Sequence, residues 1–243
     1  MQKKPNISKD VLSNPISPFN RIQGPIFIGR TWKEYMKMFN LELENLSELK
    51  ILDCASGASS FRAHSAENGV DVTAVDLMYC QNADDLCVKC NEHLKILVES
   101  LKKIENKFVW KFFSDPDELQ HNRNNACKEF ISDYINNKGK NYIPADIKNL
   151  PFNDECYDLV LCSHLLFIYD HRLDYEFHLK AVLEMLRVSK GELRIYPLVR
   201  NHGVKSEFVE RIMNDVPDVK MEIVSVDYEF RKESNEMLRI VKK

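Results

Sequence analysis

Residues 51–61 read ILDCASGASSF, and this stretch decides the fold. Ile51 and Leu52 begin a strand of buried type, Asp53 ends it, and Ala55, Ser56, Gly57, Ala58, Ser59 and Ser60 follow as an unbroken run of small side chains. Small residues after a strand let a ligand come close to the backbone, and the start of the next helix aims its N–H groups at an electronegative group. In an open parallel sheet the carboxyl ends of the strands are where ligands bind. An acid placed just before such a loop repels a pyrophosphate and attracts an ammonium group or hydroxyls.

Working outward, the pattern alternates. Downstream it predicts a helix over 60–68, a strand over 70–75 that runs into Asp76, strands at 141–143 and 157–163, a helix over 173–188 and a strand at 192–196. Strands alternating with helices predict an α/β fold, a doubly wound and mostly parallel sheet covered on both faces. The tail differs: 221–230 and 236–241 are strand-like runs separated only by 231–235, which predicts a hairpin and an antiparallel C-terminal strand. Upstream, Pro5, Pro15, Pro18 and Pro25 mark 1–30 as an irregular arm. Thr31 then caps a helix reaching about residue 40, with Trp32, Tyr35, Met36 and Phe39 on one face. Arm and helix together occupy 1–45.

Between the second and third strands, 79–140 forms a helical insertion that a minimal alternating fold does not need. Cys87, Cys90, Leu94, Leu97, Leu101 and Ile104 make an apolar stripe at helical spacing, and Asp115 before Pro116 starts a second helix. The insertion is expected to act as a lid over the site. At 243 residues the whole chain, 1–243, fits a single domain.

Composition narrows the class. The apolar runs, such as 159–162 and 165–168, fall far short of a membrane span, and the polar N-terminus carries no signal core. With seven cysteines in no framework spacing, the expectation is a cytoplasmic protein with reduced thiols. The formal charge of −3 argues against a broad nucleic-acid surface. Cys87 and Cys90 have the CxxC spacing used for zinc, with Cys80 and His93 nearby. Both lie on the apolar stripe without a second CxxC, so they read as packing and no metal is expected.

Three acids then stand at strand ends. Asp53 either caps its loop or faces an ammonium group; Asp76, about 20 residues on, can accept both hydroxyls of a ribose. Asp146, in PADIKNLPF, either closes a turn or accepts from an exocyclic amine. One amino-acid-bearing adenosine suits all three. The arrangement resembles the class I S-adenosylmethionine-dependent methyltransferase superfamily, over roughly 48–198. The segments concerned are DCASGAS, VTAVDLMY and YIPADIKNLPFNDECYDLVLCSHLLF. Only the middle glycine of that family's first motif is present, as Gly57, with Ala55 and Ser59 in place of its neighbours.

The resemblance implies a seven-stranded Rossmann-like sheet and S-adenosylmethionine as cofactor. It places Asp53, Ala55, Ser56 and Gly57 near the methionine part, Asp76 and Leu77 at the ribose, Asp146 and Ile147 around the adenine, and Ser163 at the end of the fourth strand. From the arm and first helix, Arg30 is expected to meet the cofactor carboxylate and Tyr35 the sulfonium. Methyl transfer mainly needs alignment of donor and acceptor. Where a base helps, His164 is the first candidate and Tyr169 the next, His164 also being open to a purely structural role. The acceptor is expected to be a small or medium-sized molecule. Two other readings stay open: a noncatalytic S-adenosylmethionine-binding or regulatory protein, and a nucleotide-dependent oxidoreductase, against which the absence of GxGxxG and the position of Asp53 both speak.

Overall fold

The alternation read around Asp53 folds as a layered α/β sheet. The structure, a computed structural model, describes residues 22, 24–200 and 203–243. In chain order its elements are β1 (Gly29–Arg30), α1 (Trp32–Met38), β2 (Lys50–Cys54), β3 (Ala58–Ser59), α2 (Phe61–Glu67), β4 (Asp71–Val75), α3 (Ala83–Leu101) and α4 (Pro116–Asn137). They continue with β5 (Tyr142–Ile143), β6 (Tyr157–Ser163), α5 (Tyr175–Val188), β7 (Ser189–Tyr196), α6 (Glu207–Asp215), β8 (Val219–Ser225) and β9 (Glu236–Lys242).

Seven strands form one sheet in the order β5-β4-β2-β6-β7-β9-β8. The first five pair in parallel, and β9 runs antiparallel to both β7 and β8. The chain builds outward from β2 to β4 and β5, then crosses back to place β6 on the other flank of β2. That reversal opens the crevice in which such sheets bind ligands. The expected seven-stranded Rossmann-like sheet with an antiparallel end is therefore present.

Period-two alternation sends side chains to two cores. Leu52, Cys54, Val160 and Cys162 pack on the face covered by α5 and α6, with Met185 and Ile212. Ile51, Leu159 and Leu161 pack on the opposite face with Phe39 and Phe61 of the α1–α2 side. Caps set the helix starts: Asp115 accepts from the Asp117 and Glu118 amides at 2.9 and 2.8 Å, with Pro116 in the first turn, as the sequence predicts.

The structure departs from the sequence reading in the tail. β8 ends at Ser225 rather than at 230, because 226–235 leaves the sheet and folds back toward α1 and the segment after α3. There the Val109 amide donates to the Phe230 carbonyl at 2.8 Å. Helix α6 and the short β1–β3 pairing were not read from the sequence. Of the arm expected over 1–30, residues 1–21 and 23 lie outside the described residues. Among the described residues no helix is long and apolar enough to cross a membrane.

Candidate active site at the strand ends

A cavity of about 500 Å³ opens at the carboxyl ends of β2, β4, β5 and β6. It gathers almost every residue singled out by the sequence. Ala55, Ser56 and Gly57 come from the loop after β2, Asp76 and Leu77 from the end of β4, Asp146 and Ile147 from the turn after β5, and Ser163 and His164 from the end of β6. Tyr169, Arg30 of β1 and Tyr35 of α1 complete this set. Asp53 stands apart: it is fully buried, one layer beneath the cavity wall. Trp32 also lies elsewhere, stacked on His64 of α2 with ring centroids 3.7 Å apart.

The backbone at the strand ends is bent into the left-handed region. Ala55 (φ +55°), Gly57 (φ +58°) and His164 (φ +55°) adopt it, the first two beside the third across adjacent strands. For a residue with a Cβ this costs roughly 1–3 kcal/mol, a cost found mostly where function requires the geometry. Gly57 needs its freedom from a Cβ for this φ rather than for space, since a Cβ would meet only the Phe27 ring at 3.8 Å.

Asp76 shapes this loop. Its two carboxylate oxygens accept the Gly57 amide at 3.0 Å and the Met78 amide at 2.8 Å. A carboxylate has about four acceptor sites, so each oxygen retains capacity for a ligand hydroxyl. Burial raises its pKa, while the two amide hydrogen bonds oppose that rise. Asp146 accepts the Lys148 amide at 2.9 Å, which is the turn-closing role, and still lines the cavity. Below them Asp53 accepts from the Ser56 hydroxyl at 2.6 Å and the Tyr35 hydroxyl at 3.3 Å. Burial pushes its pKa up to about 7, against the pull of those two hydrogen bonds and with a smaller push from Asp76. Tyr35 is thereby committed to Asp53, and its ring stacks on Phe61 at 4.9 Å.

His164 is half-buried at the cavity wall, with Nδ1 2.8 Å from Ser163 Oγ. Burial, reinforced by Arg30, Arg123 and Arg231, holds its pKa well below the usual histidine range, so the ring is neutral near pH 7. Ser163 Oγ can accept from Nδ1–H, the tautomer that leaves the lone pair on Nε2. The Tyr169 hydroxyl accepts from the Ile26 amide at 2.9 Å, and burial raises its pKa, so it keeps its proton and ties down the arm. His178 is a fully buried neutral imidazole: Nδ1 lies 2.8 Å from the Asp174 carbonyl and Nε2 accepts from the Phe167 amide at 3.0 Å.

Several wall residues escaped the sequence reading. His93 of α3 accepts the Phe27 amide on Nδ1 at 2.9 Å, which leaves its proton on Nε2. Arg172 donates to the Gly24 carbonyl at 3.0 Å, so α3 and the 169–172 loop together pin the arm as one side of the cavity. Phe230 and Arg231 arrive from the β8–β9 loop. Glu34 organises this side although it faces no cavity. It completes a capping box with Thr31, and its carboxylate takes Arg123 at 2.8 Å, the Tyr228 hydroxyl at 2.6 Å and Arg30 at 3.4 Å. Burial alone would raise its pKa, but Arg123, Arg30 and Tyr228 bring it below the usual carboxylate range. The TxxE spacing signals the cap; nothing local signals the arginines.

Gly29 explains how the arm reaches this position. A Cβ there would overlap the Arg123 carbonyl oxygen and come within 2.7 Å of the Cys127 amide of α4. Of the CxxC pair, Cys90 is buried beside Cys127 and Cys87 is half-buried. Among the described residues no three His, Cys, Asp or Glu side chains are grouped as metal ligands.

The donor set fits S-adenosylmethionine: a carboxylate with spare acceptor sites at the end of β4, a glycine-centred loop after β2, and acids where a pyrophosphate would be repelled. Comparison with known proteins gives one family match and several similar chains. Residues 116–193 match a family model described as a methyltransferase domain. The chain is 36% identical over 220 residues to the uncharacterized protein MJ0045 of Methanocaldococcus jannaschii, covering 90% of this chain and 97% of that one. Among solved structures it is similar to the PH0226 protein of Pyrococcus horikoshii (15% identity, 87% of each chain, TM-score 0.47). It is also similar to the N-methyltransferase NodS of Bradyrhizobium japonicum (13% identity, 93% of this chain and 98% of that one, TM-score 0.45). The magnesium protoporphyrin IX methyltransferase of Synechocystis, solved with S-adenosylmethionine bound, is a third (15% identity, 82% and 73%, TM-score 0.43). The chain belongs to the family of the M. jannaschii protein, and its matched segment, from α4 into β7, is that of a methyltransferase domain.

Proposed function

We propose that this protein transfers a methyl group from S-adenosylmethionine to a small acceptor held in the same cavity. The observation that carries the reading is the convergence of Gly57, Asp76, Asp146, Ser163 and His164 from four strand ends on one cavity of about 500 Å³. In this reading Asp76 accepts the ribose hydroxyls, Ile147 and Leu77 flank the adenine with Asp146 at its amine, and Ala55 to Gly57 lie along the methionine part. Arg30 meets the carboxylate, and Asp53, from beneath, places negative potential under the loop.

S-adenosylmethionine supplies a methyl on a sulfonium: as the acceptor lone pair bonds the methyl carbon, the carbon–sulfur bond breaks and its electron pair stays on sulfur. His164 takes the acceptor's proton on Nε2 while Nδ1–H is held by Ser163, its neutrality near pH 7 keeping the lone pair available. Tyr169, His93 and Arg172 keep the arm in place, which excludes water and aligns the acceptor. α3 and α4 back the arm, through His93 and through the close contact of Gly29 with Arg123 and Cys127.

Calorimetric titration with S-adenosylmethionine, its demethylated product and NADH tests the reading. The first two should bind at one site per chain and NADH should not. Absence of binding by both sulfur compounds would overturn it.

A further inference from the structure

The cavity changes character along its length. Helix α3 lines it with Lys89, His93 and Leu97, which share one helix face and span about 12 Å at 1.5 Å per residue. Leu97 at the far end of that row belongs to an apolar cluster with Ile28 and Phe108, against which Ile26 and Phe230 also pack. Those five residues line the cavity as well. One end of the cavity is therefore the surface of a hydrophobic core cluster, assembled from the arm, α3, the segment after α3 and the β8–β9 loop.

Long-range contacts hold this apolar end against the loop that begins at His164. Ile26 and Ile28 of the arm join the Leu97 cluster, while Phe27 between them packs in a different one with Cys127 and Phe130. The Ile26 amide donates to the Tyr169 hydroxyl at 2.9 Å, and Ile168 beside Tyr169 lines the cavity too. Phe108 and Phe230 stack at 4.9 Å, fixed by the Val109 amide donating to the Phe230 carbonyl at 2.8 Å. The arginines of the wall are already engaged. Arg123 and Arg30 hold Glu34, Arg172 donates to the Gly24 carbonyl at 3.0 Å, and the Arg231 guanidinium lies 5.2 Å from the centre of the Phe108 ring. The carboxylates Asp76 and Asp146 follow β4 and β5, on the flank of β2 opposite to β6 and His164.

Resting on the methyltransferase reading, we propose that the methyl acceptor is a neutral molecule with an apolar, ring-sized body, seated against Ile26, Ile28, Leu97, Phe108, Ile168 and Phe230, that presents a hydroxyl or amine to His164. An apolar body gains by leaving water for this wall. A charged one would lose its hydration to arginines that already have partners. The oxygen or nitrogen lone pair bonds the methyl carbon, the carbon–sulfur pair stays on sulfur, and the acceptor's proton passes to His164 Nε2. The acidic end is left to the cofactor, whose hydroxyls and ammonium match it.

The test titrates the full chain, saturated with S-adenosylhomocysteine, with three probes. They are para-propylphenol, para-hydroxyphenylpropionate, which puts a carboxylate on the same body, and myo-inositol, which has hydroxyls and no apolar body. The phenol should bind at least about tenfold tighter than either of the others, a ratio that burial of roughly 55 Å² of apolar surface supplies. Phe230→Ser should weaken the phenol about tenfold and Phe230→Leu should restore most of the loss, with S-adenosylhomocysteine affinity unchanged. If thermal melting shows that Phe230→Ser is unfolded, Ile168→Ser should give the same selective loss. The proposal is overturned if the phenol does not bind, if the carboxylate or the inositol binds as tightly, or if folded variants bind the phenol like wild type. It is also overturned if the phenol binds only by displacing S-adenosylhomocysteine, since it would then occupy the adenine position. Failure of S-adenosylhomocysteine to bind counts instead against the methyltransferase reading; the same comparison on the free protein then decides the apolar site separately.

Discussion

Replacing Asp53 by asparagine should stabilise the free protein at neutral pH. Asp53 is fully buried, with the Ser56 and Tyr35 hydroxyls as its side-chain partners among the described residues, so its ionised form is poorly compensated there. Its pKa stands at about 7 in the folded chain against an ordinary 3.8. Between those values the folded state keeps a proton that the unfolded state has released. Stability therefore falls as pH rises from about 4 to about 7 and is level beyond. At about 1.4 kcal/mol per pK unit, the rise of about three units makes the cost by pH 8 roughly 4 kcal/mol. Asparagine keeps a carbonyl acceptor for one hydroxyl, and its amide can donate to the other, without the charge. Urea unfolding of both proteins from pH 4 to 8 reads the effect. The difference between them should open through this window, while the neutral buried histidines, whose contribution has the opposite sign, cancel. S-adenosylmethionine, by placing a cationic group nearby, should flatten the wild-type slope and bind Asp53→Asn more weakly. Parallel stability curves for the two proteins across the window would refute the account of Asp53.

Asp76→Ala should weaken S-adenosylmethionine binding by about 1.5–3 kcal/mol, the scale for hydrogen bonds to a charged group; unchanged calorimetric affinity in a folded variant removes Asp76 from the site. Gly29→Ala should destabilise the protein by at least about 1–3 kcal/mol, because the added Cβ meets backbone atoms of α4 that cannot move aside. A melting temperature equal to wild type would show that β1 and α4 are not in such close contact. His164→Asn, which tolerates the left-handed backbone, should lower kcat roughly 10²–10⁴-fold while S-adenosylmethionine affinity is kept. Because the wild-type ring is neutral well into the acid range, the rate should stay level above pH 6.5 and fall only below it; an unchanged kcat in the variant excludes His164 as the base.

Much of this protein is written locally. Alternating apolar runs place β2, β4, β6 and β7, the Asp115–Pro116 pair starts α4, and the acids and small residues after β2 and β4 sit at the ligand crevice, because periodicity, caps and strand ends are short-range features. The resemblance added which ligand those ends suit. Tertiary structure decided the rest. Asp53 turned out to lie beneath the wall rather than in it, since its layer depends on how α1 covers the loop. The 226–230 run reads as strand by composition, yet it leaves the sheet because Tyr228 finds Glu34 at a separation of 194 residues. Arg123 finds the same carboxylate across 89 residues. Glu34, Arg123 and Arg231 carry no periodic or motif signal: a buried charge is tolerated only where distant partners compensate it, and those partners are brought together by the folded chain alone.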